Sequence, residues 1–152
     1  MTIVLRYGLA EERVALEELQ RSASLVWEEY RAALLAHPDA IQLPTDQLLA
    51  QRVRVAEIAR PPVGFSVTLP VANDAWELDG LFVDPAHWRK GIGTALVADA
   101  VALVRQQGGR FVDVTANPRA EGFYLNFGFV LSGRADTQFG QASRMRYTIP
   151  NG

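Results

Sequence analysis

The sequence predicts an α/β fold, a single domain in which helices pack on a mixed sheet. Three observations predict this fold class. The chain has 152 residues, which suffices for one domain with its own apolar core. Segments with helical and with alternating apolar periodicity follow one another along it. A strand, a long helix and a second strand stand in direct succession between residues 76 and 115, and such a unit pairs its strands in parallel through a right-handed crossover.

The N-terminal half carries helical periodicity between short strands. Apolar residues recur at helical spacing from residue 11 onward, and Ser22 with Ser24 offer a break and a new helix start. The pair Pro61–Pro62 predicts a turn between two strands. In chain order, the predicted elements are a strand over Ile3–Arg6, helices over about 10–22 and 24–36, a short helix over Asp46–Gln51 capped by Thr45, and a hairpin of Arg52–Ala59 with Val63–Leu69.

The C-terminal half alternates strands with helices. Its long helix begins at Gly91 and ends before Gly108–Gly109, because glycine readily adopts the backbone conformation that ends a helix. Strands outside the parallel unit are expected to pair as hairpins, so the sheet is mixed. The predicted elements are strands over Trp76–Val83, Phe111–Thr115, Phe129–Gly133 and Ser143–Ile149, and helices over Gly91 to about Gln107 and over Ala120–Asn126.

Composition excludes several functional classes. The 15 basic and 17 acidic side chains give a net charge of -2, which predicts neither nucleic-acid binding nor attraction to an anionic membrane. The chain has no cysteine, so disulfides, thiolate ligands and thiol nucleophiles are excluded. Neither His37 nor His87 has a partner at metal-ligand spacing, which argues against a metal site and a Ser/His/Asp hydrolase. Without a signal-peptide pattern or an apolar run of roughly 20 residues, a cytoplasmic location is expected by default.

The stretch over residues 84–94, Asp-Pro-Ala-His-Trp-Arg-Lys-Gly-Ile-Gly-Thr, predicts an anion site. Backbone N–H groups in a first helical turn lack intrahelical acceptors and lie at the positive end of the helix dipole. Gly91 and Gly93 let the backbone approach a phosphate closely, and Arg89 and Lys90 add positive charge at the rim. A pyrophosphate is the natural occupant.

Other glycine-rich nucleotide motifs fit this stretch less well. A dinucleotide-binding turn has a third glycine where Leu96 stands, and a P-loop has Gly-Lys-Ser/Thr where this chain has Lys-Gly. Asp113 stands about where a ribose-binding acid falls, but one strand–helix–strand unit is too little for a dinucleotide fold. On this motif alone, glycines that merely ease a helix start remain an alternative.

A second motif over residues 117–129 reads Asn-Pro-Arg-Ala-Glu-Gly-Phe-Tyr-Leu-Asn-Phe-Gly-Phe. Together the two motifs resemble the GNAT superfamily of acyl-CoA-dependent N-acyltransferases. That family has a pyrophosphate loop of the form Gln/Arg-x-x-Gly-x-Gly/Ala and commonly a downstream Asn-x-x-Ala-x-x-Phe/Leu-Tyr-x-x-x-Gly-Phe. The second motif matches throughout. In the loop, Trp88 replaces Gln or Arg and the arginine shifts to Arg89, which we expect to adjust CoA affinity without abolishing it. The resemblance covers residues 76–149 well and the rest only by element order.

The resemblance implies a mostly antiparallel sheet of six to seven strands with one splayed parallel pair, and about four helices. It implies acetyl-CoA as acyl donor and no metal. The pantetheine arm would pair with the main chain of the strand before the loop, where a backbone N–H would stabilise the oxyanion. The residues implied in binding acyl-CoA are Leu81, Phe82, Val83, Trp88, Arg89, Lys90, Gly91, Ile92, Gly93, Thr94, Asn117, Phe123 and Tyr124.

Two acids on one strand are the candidates for a catalytic base. An alkylamine has a pKa of about 10.4, so it needs a base, or a water chain leading to one, to become nucleophilic at neutral pH. Glu77 and Asp79 lie two apart and therefore face the same way. The family often uses an acid on this strand, so Glu77 is the first candidate and Asp79 the second. The alternative is that both lie on a solvated face.

Tyr124 matches the family tyrosine that protonates the leaving thiolate. Phenol and alkylthiol pKa values, about 10 and about 8.5, are close enough to allow this role. The alternative is a helix tyrosine packed in the core. Asn117 is implied in contacting the pantetheine arm, and it also suits the N-cap of the helix that follows.

The resemblance thus implies an N-acetyltransferase that works by direct attack in a ternary complex, since no cysteine can carry an acyl group. A non-catalytic acyl-CoA sensor and a transferase for longer acyl chains are the alternatives. The acceptor, a small-molecule or peptide amine, is not identified, and dimers are common in the family. One candidate wall for an amine with an apolar body consists of Trp27, Glu28, Glu29, Tyr30 and Phe139. The alternative is a core-facing aromatic pair beside a solvated acid pair.

Overall fold

A seven-stranded sheet organises residues 2–137 and 140–150, the part of the chain that a computed structural model describes; the side chains of residues 28, 29 and 38 lie outside the description. The strands are β1 (Val4–Tyr7), β2 (Val53–Glu57), β3 (Gly64–Pro70), β4 (Ala75–Val83), β5 (Phe111–Ala116), β6 (Val130–Thr137) and β7 (Gly140–Thr148). Their order across the sheet is β1-β2-β3-β4-β5-β7-β6.

Helices connect these strands. The α-helices are α1 (Arg13–Leu25), α2 (Glu28–Ala36), α3 (Thr45–Leu49), α4 (Ile92–Gln106) and α5 (Glu121–Phe127). Short 3-10 helices cover Ala10–Glu12, Pro38–Ala40, Pro85–His87 and Pro118–Ala120. The last two each precede a longer helix, so the chain enters both α4 and α5 through a tight turn.

The parallel pair of the sheet is β4 with β5, which are joined by α4. Its registered pairs run from Ala75 opposite Phe111 to Leu78 opposite Val114. Both strands continue beyond the last of these pairs. The registered ladders of β1 with β2, β2 with β3, β5 with β7 and β6 with β7 are antiparallel. The predicted α/β class, and the mostly antiparallel sheet with one parallel pair, are confirmed.

The residues cluster into two compact units. Unit 1 consists of Met1–Val67 and Gly80–Val97, and unit 2 of Thr68–Asp79 and Ala98–Gly152. The expectation of a single domain over the whole chain stays a prediction.

Unit 1 has a core of buried apolar side chains from helices and strands. Leu16, Leu19 and Ala23 are buried on α1 at spacings of three and four, which is one face of a helix. On β2, Val53 and Val55 are fully buried, and so is Ala56, which points to the opposite face of the strand. The helix α1 thus buries one face, whereas β2 is covered on both.

Unit 2 buries an aromatic and aliphatic core around β5, β7 and α5. Val112 and Val114 alternate on β5, and Met145 lies opposite Val114 on β7. Phe129 is 2% exposed and makes tilted ring contacts with Phe127 and Tyr147, with centroids 5.9 and 5.5 Å away. These ring contacts place Phe127 and Tyr147 against Phe129 in the core of the unit.

The helix break predicted at Ser22–Ser24 is wrong. Helix α1 runs through both serines to Leu25, and the chain turns at Trp27, whose φ of -82° and ψ of 116° are extended. Ala23 is buried between the two serines, so burial of this face outweighs the local preference of serine for a helix start. The cap predicted at Thr45 shifts in the same way, because α3 begins with Thr45 itself and Pro44 is the N-cap.

Candidate functional site

The loop between β4 and α4 lies in unit 1 and turns sharply at Asp84. The main-chain N–H of Asp84 donates to the Val63 carbonyl at 2.8 Å, and its carboxylate accepts the N–H of Ala86 at 3.0 Å. Asp84 therefore anchors the end of β4 and caps the 3-10 helix Pro85–His87. These two hydrogen bonds fix the start of the loop, which lies before Gly91 and Gly93 in the chain.

Trp88 folds the loop back onto the strand it has just left. Its indole N–H donates to the Val83 carbonyl at 2.8 Å, and its ring lies 5.9 Å from that of Trp27, tilted by 34°. The side chain is 37% exposed. In the position where the resembling family has Gln or Arg, this chain thus has a side chain that bonds its own backbone. The predicted contact of Trp88 with the cofactor stays a prediction.

Positive φ angles shape the exposed end of the loop. Arg89 has a φ of 66° and Gly91 a φ of 79°. A Cβ placed on Gly91 would meet no atom of the described residues within 4 Å, so this glycine is favoured by its backbone conformation and not by crowding. Lys90 Nζ lies 3.3 Å from His87 Nδ1, and Arg89 and Lys90 are both exposed. Two cations and an open backbone therefore precede the helix.

The first turn of α4 presents main-chain donors. The N–H of Ala95 donates to the Gly91 carbonyl at 3.0 Å, which is the helical i to i−4 bond. The N–H groups of Ile92, Gly93 and Thr94 precede that bond and belong to the set that a helix start leaves without intrahelical acceptors. With the positive end of the helix dipole, they form a site suited to a phosphate.

Packing within unit 1 holds this helix start against β4. Ile92 and Leu96 are buried at 1% and 0% exposure in a cluster with Ala56 and Val63. Leu81 and Val83 of β4 pack against the same cluster. Their side chains are occupied by packing, so only their main chain is available to a ligand.

Phe82 packs in the other direction from its strand neighbours. Its ring lies 5.2 Å from that of buried Phe65, as strand alternation requires. The expectation that the residues 81–83 bind pantetheine through backbone groups is compatible with this packing, and it stays a prediction.

The two candidate bases lie in different surroundings in unit 2. Glu77 is half-buried, and its Oε1 accepts a hydrogen bond from Arg144 Nη1 at 2.8 Å, with Thr115 Oγ1 at 3.5 Å. Asp79 is exposed. Strand alternation puts both acids on one side of β4, as expected, but the structure places only Glu77 among ordered partners.

Burial raises the pKa of Glu77 above its usual value. The ion pair with Arg144 opposes this rise, whereas the negative charges of Asp113 and Asp79 add to it. A carboxylate with a raised pKa is a stronger base than one with an unperturbed pKa. The role of Glu77 as the catalytic base stays a prediction.

Glu77 belongs to a group of four charged residues and one threonine that we call the charged face. It consists of Glu77, Asp113, Thr115, Arg144 and Arg146. Register places Glu77 opposite Asp113, Asp113 opposite Arg146, and Thr115 opposite Arg144. Opposite residues of paired strands share a face, so these side chains lie side by side.

The second ion pair of the charged face joins Arg146 to both carboxylate oxygens of Asp113. Arg146 Nε and Nη2 donate to the two oxygens of Asp113 at 2.7 and 3.0 Å, and its guanidinium lies 4.3 Å from the centre of the Phe111 ring. The hydrogen bond with Asp113 raises the pKa of Arg146. Sequence reasoning assigned no function to Thr115, Arg144 or Arg146, because only strand register brings them beside Glu77.

Tyr124 is buried at 5% exposure on α5. Its ring meets Phe123 and Phe129 edge-on, with centroids 5.0 and 5.2 Å away. Burial raises the pKa of Tyr124 well above its ordinary value. The phenol therefore keeps its proton at neutral pH, which is the state that a hydrogen-bond donor or general acid requires. The core packing and a catalytic role are compatible, since ring and hydroxyl serve different ends of the side chain.

Polar contacts fix the entry to α5. Asn117 Oδ1 accepts the N–H of Arg119 at 2.9 Å, so Asn117 is an N-cap, but of the 3-10 helix Pro118–Ala120, and Ala120 is the N-cap of α5. The Glu121 carboxylate accepts hydrogen bonds from Ser143 and from Arg134, and these lower the pKa of Glu121. Ser143 is fully buried, so this network ties the first turn of α5 to β7. Contact of Asn117 with the pantetheine arm stays a prediction.

Part of the proposed acceptor wall lies outside the described residues: Phe139 and the side chains of Glu28 and Glu29. Trp27 packs against Trp88. Among the described residues, no three or more His, Cys, Asp or Glu side chains are grouped so that they could hold a metal ion.

No helix within residues 2–137 and 140–150 is long and apolar enough to cross a membrane.

Comparison with known proteins identifies the class to which this fold and these motifs belong. The family model of the acetyltransferase (GNAT) family matches residues 15–129. The match covers more than half of the chain, and the chain belongs to the GNAT acetyltransferase family. The resemblance inferred from the two motifs is thereby confirmed. None of the curated proteins compared with the chain matches it significantly.

Solved structures of similar fold include the PaiA N-acetyltransferase of Thermoplasma acidophilum in complex with coenzyme A, at 20% identity and a TM-score of 0.79 over 97% of this chain and 99% of that one. The ribosomal-protein-S18-alanine N-acetyltransferase of Escherichia coli is 18% identical, with a TM-score of 0.72 over 99% and 96% of the two chains. YncA of Salmonella typhimurium, solved with acetyl-CoA, is 18% identical, with a TM-score of 0.73 over 100% and 96%. At such identities the likeness shows the fold.

Proposed function

We propose that this protein is an N-acetyltransferase that binds acetyl-CoA and transfers the acetyl group to a primary amine by direct attack in a ternary complex. The observation that carries the proposal is the open helix start of α4, where Gly91 has a φ of 79° and no protein atom would meet its Cβ. An anion can approach the donors there closely. Membership of the GNAT acetyltransferase family, and structural neighbours solved with coenzyme A or acetyl-CoA, support the same donor.

The pyrophosphate of the donor is bound by main-chain N–H groups of residues 91–94, with Arg89 and Lys90 supplying charge at the rim. The pantetheine arm pairs with the main chain of residues 81–83. Because the indole of Trp88 already donates to the Val83 carbonyl, the loop end of this strand is held in place before the ligand arrives. Preorganisation of this kind lowers the cost of ordering the site on binding.

Glu77 is the proposed base. An acceptor enters as an ammonium ion, and Glu77 takes its proton directly or through one water, which frees the nitrogen lone pair for attack on the thioester carbonyl. A main-chain N–H of the strand stabilises the oxyanion that forms. The chain has no cysteine to accept the acetyl group, which supports attack by the amine itself.

Tyr124 is the proposed donor to the leaving sulfur. Since burial raises the pKa of its phenol, a transfer that left a tyrosinate behind would be uphill. The hydroxyl therefore acts by donating a hydrogen bond to the thiolate as the carbon–sulfur bond breaks. The attacking nitrogen loses its second proton to solvent, and the thiolate takes a proton from solvent to become the CoA thiol. This assignment accounts for a catalytic tyrosine whose ring lies in the core.

The acceptor we propose is a small-molecule or peptide amine. Named acceptors among the neighbours range from a ribosomal-protein alanine to an aminoglycoside, so the shared fold allows amines of very different size. A homodimer and a cytoplasmic location stay predictions.

The test is calorimetric titration with acetyl-CoA, followed by an assay of thiol release across a panel of amines. Micromolar binding with CoA release in the presence of one amine is the expected result. Binding without release from any amine would favour an acyl-CoA sensor. Release from longer acyl-CoA thioesters in preference to acetyl-CoA would replace acetyl with a longer chain. Absence of binding would contradict the proposal.

A further inference from the structure

The two ion pairs of the charged face differ in how they are bonded. Asp113 uses both carboxylate oxygens, which accept two parallel bonds from Arg146. Glu77 uses one: Oε1 accepts from Arg144, and no hydrogen bond reaches Oε2 from the described residues. A carboxylate held by one oxygen is oriented and still has a free oxygen able to accept a proton.

The partner of Glu77 comes from a strand that is not its neighbour. Arg144 stands on β7 opposite Thr115 of β5, and its Nη1 donates both to Thr115 Oγ1 and to Glu77 on β4. The arginine side chain therefore extends over β5 and is itself located by the threonine. Glu77 and Arg144 expose 20% and 34% of their side chains, so the pair is only partly screened by water.

We propose that Arg144, supported by Thr115, is a positioning residue for catalysis: it fixes Oε1 of Glu77 and leaves Oε2 to receive the proton of the acceptor ammonium. This inference rests on the proposed function of Glu77 as the base. The proton moves from nitrogen to Oε2, giving a neutral amine and a neutral carboxylic acid, which later returns the proton to solvent. The N–H bond breaks as the O–H bond forms, and no protein group other than Glu77 changes its bonding in this step.

The charges around Glu77 set the direction of the effect. Arg144 on β7 favours the carboxylate, whereas Asp113 on β5 and Asp79 on β4 favour the neutral acid. Removal of the arginine charge leaves the two acids and burial unopposed. The ionised base would then be populated only at higher pH.

The test compares Arg144→Gln with Arg144→Lys and with the matched control Arg146→Gln. Arg146 lies on the same strand as Arg144, and its substitution breaks the neighbouring ion pair with Asp113. Two readouts are followed, the titration of the Glu77 carboxyl carbon by NMR and the pH profile of kcat with the most active amine of the panel. In Arg144→Gln we expect both midpoints to rise together by about one pH unit. Arg144→Lys keeps the charge and is expected to bring both midpoints most of the way back to their original values. Arg146→Gln leaves Asp113 without its ion-pair partner and is expected to raise both midpoints by much less than Arg144→Gln does.

The two readouts separate two kinds of failure. An unchanged Glu77 titration in Arg144→Gln overturns the role of Arg144 and leaves the proposed base untouched. A shifted titration without any shift of the kinetic profile shows that Glu77 is not the base, and overturns both assignments. Thr115→Val is a milder variant that replaces the hydroxyl with a methyl group, and it serves as the test if Arg144→Gln folds poorly. We expect it to move both midpoints in the same direction as Arg144→Gln, but by less.

Discussion

The loop over residues 84–94 and the charged face are built from opposite materials. The loop relies on main-chain groups: a glycine with positive φ, a helix start and a carbonyl that accepts a hydrogen bond from the indole of Trp88. The charged face relies on side chains from β4, β5 and β7, whose hydrogen bonds and register place them together. If the proposed roles hold, the difference teaches that substrate anchoring can be encoded within about ten consecutive residues, whereas proton transfer needs partners from distant parts of the chain.

The comparison also assigns each region a different kinetic signature. Main-chain donors bind the ground state and the transition state of the donor alike, so damage to the loop should appear as weaker acetyl-CoA binding. Proton-transfer groups act on the reacting bonds, so damage to them should appear in kcat with donor affinity preserved.

The largest effect is expected for Tyr124→Phe, which removes the proposed donor to the leaving sulfur. We expect kcat to fall about 1000-fold, the upper end of the range for removing one hydrogen-bond donor to a developing negative charge, with acetyl-CoA affinity within about twofold of the original. Steady-state kinetics and calorimetry measure the two quantities. Tyr147→Phe is the matched control, because Tyr147 lies in the same aromatic cluster, 5.4 Å from Phe127 by ring centroids. An equal loss in both variants would point to packing as the cause.

Glu77→Gln should follow with a loss of about 100-fold in kcat, because it removes the carboxylate base and keeps the shape of the side chain. Asp79→Asn should change kcat by less than about threefold, since Asp79 is exposed and lies outside the hydrogen-bonded pair. The two variants are compared with the same amine at saturating acetyl-CoA. The reverse ranking would transfer the role of base to Asp79.

Gly91→Ala should weaken acetyl-CoA binding about tenfold, because the new Cβ stands where phosphate approaches and the backbone is strained by about 1 kcal/mol at positive φ. Gly108→Ala is the matched control, since Gly108 has a φ of 82° and equally open surroundings. Both variants should lose similar thermal stability, but only Gly91→Ala should lose affinity in calorimetry. Equal affinities would remove the helix start from the binding site.

Trp88→Phe should weaken acetyl-CoA binding about threefold to fivefold, because it deletes a hydrogen bond of about 1 kcal/mol that holds the loop and keeps an aromatic ring beside Trp27. Calorimetry measures the affinity, and tryptophan fluorescence of the unchanged protein should respond to acetyl-CoA. If Trp88→Phe binds as tightly as the original, the indole bond to Val83 does not organise the loop.

The smallest effect concerns the stability of Glu77→Gln. The pKa of Glu77 is raised in the folded protein, so the folded state holds this proton more tightly than the unfolded state does. The stability contributed by the group is therefore present below the unfolded pKa of about 4.3 and is lost as pH rises through the folded pKa. The Tm of Glu77→Gln minus that of the original should increase from pH 4 to pH 7 when both are followed by circular dichroism. A difference that decreases over this interval would contradict the raised pKa.

Much of the fold and part of the site could be predicted from the sequence. The loop was predictable because its conformation depends on neighbours in sequence: Asp84 caps the residues that follow, and Gly91 precedes a helix that is apolar on one face. Asn117 was predictable as a cap for the same reason. The break between α1 and α2 was predicted wrongly, because burial of Ala23 depends on what α1 packs against and not on the serines around it.

By itself, the sequence determined the family, the order of most elements, a candidate anion-binding loop and two acids as candidate bases, with Glu77 ranked first. Only the tertiary structure showed that the surroundings of Glu77 and Asp79 differ, because equal spacing on a strand puts both acids on the same side and says nothing of their partners. Glu77 and Arg144 are 67 positions apart in the chain. They meet because the sheet orders its strands β4-β5-β7, so that an arginine side chain can extend over the strand between them. Register and strand order arise from the packing of the whole sheet, and local sequence does not encode them.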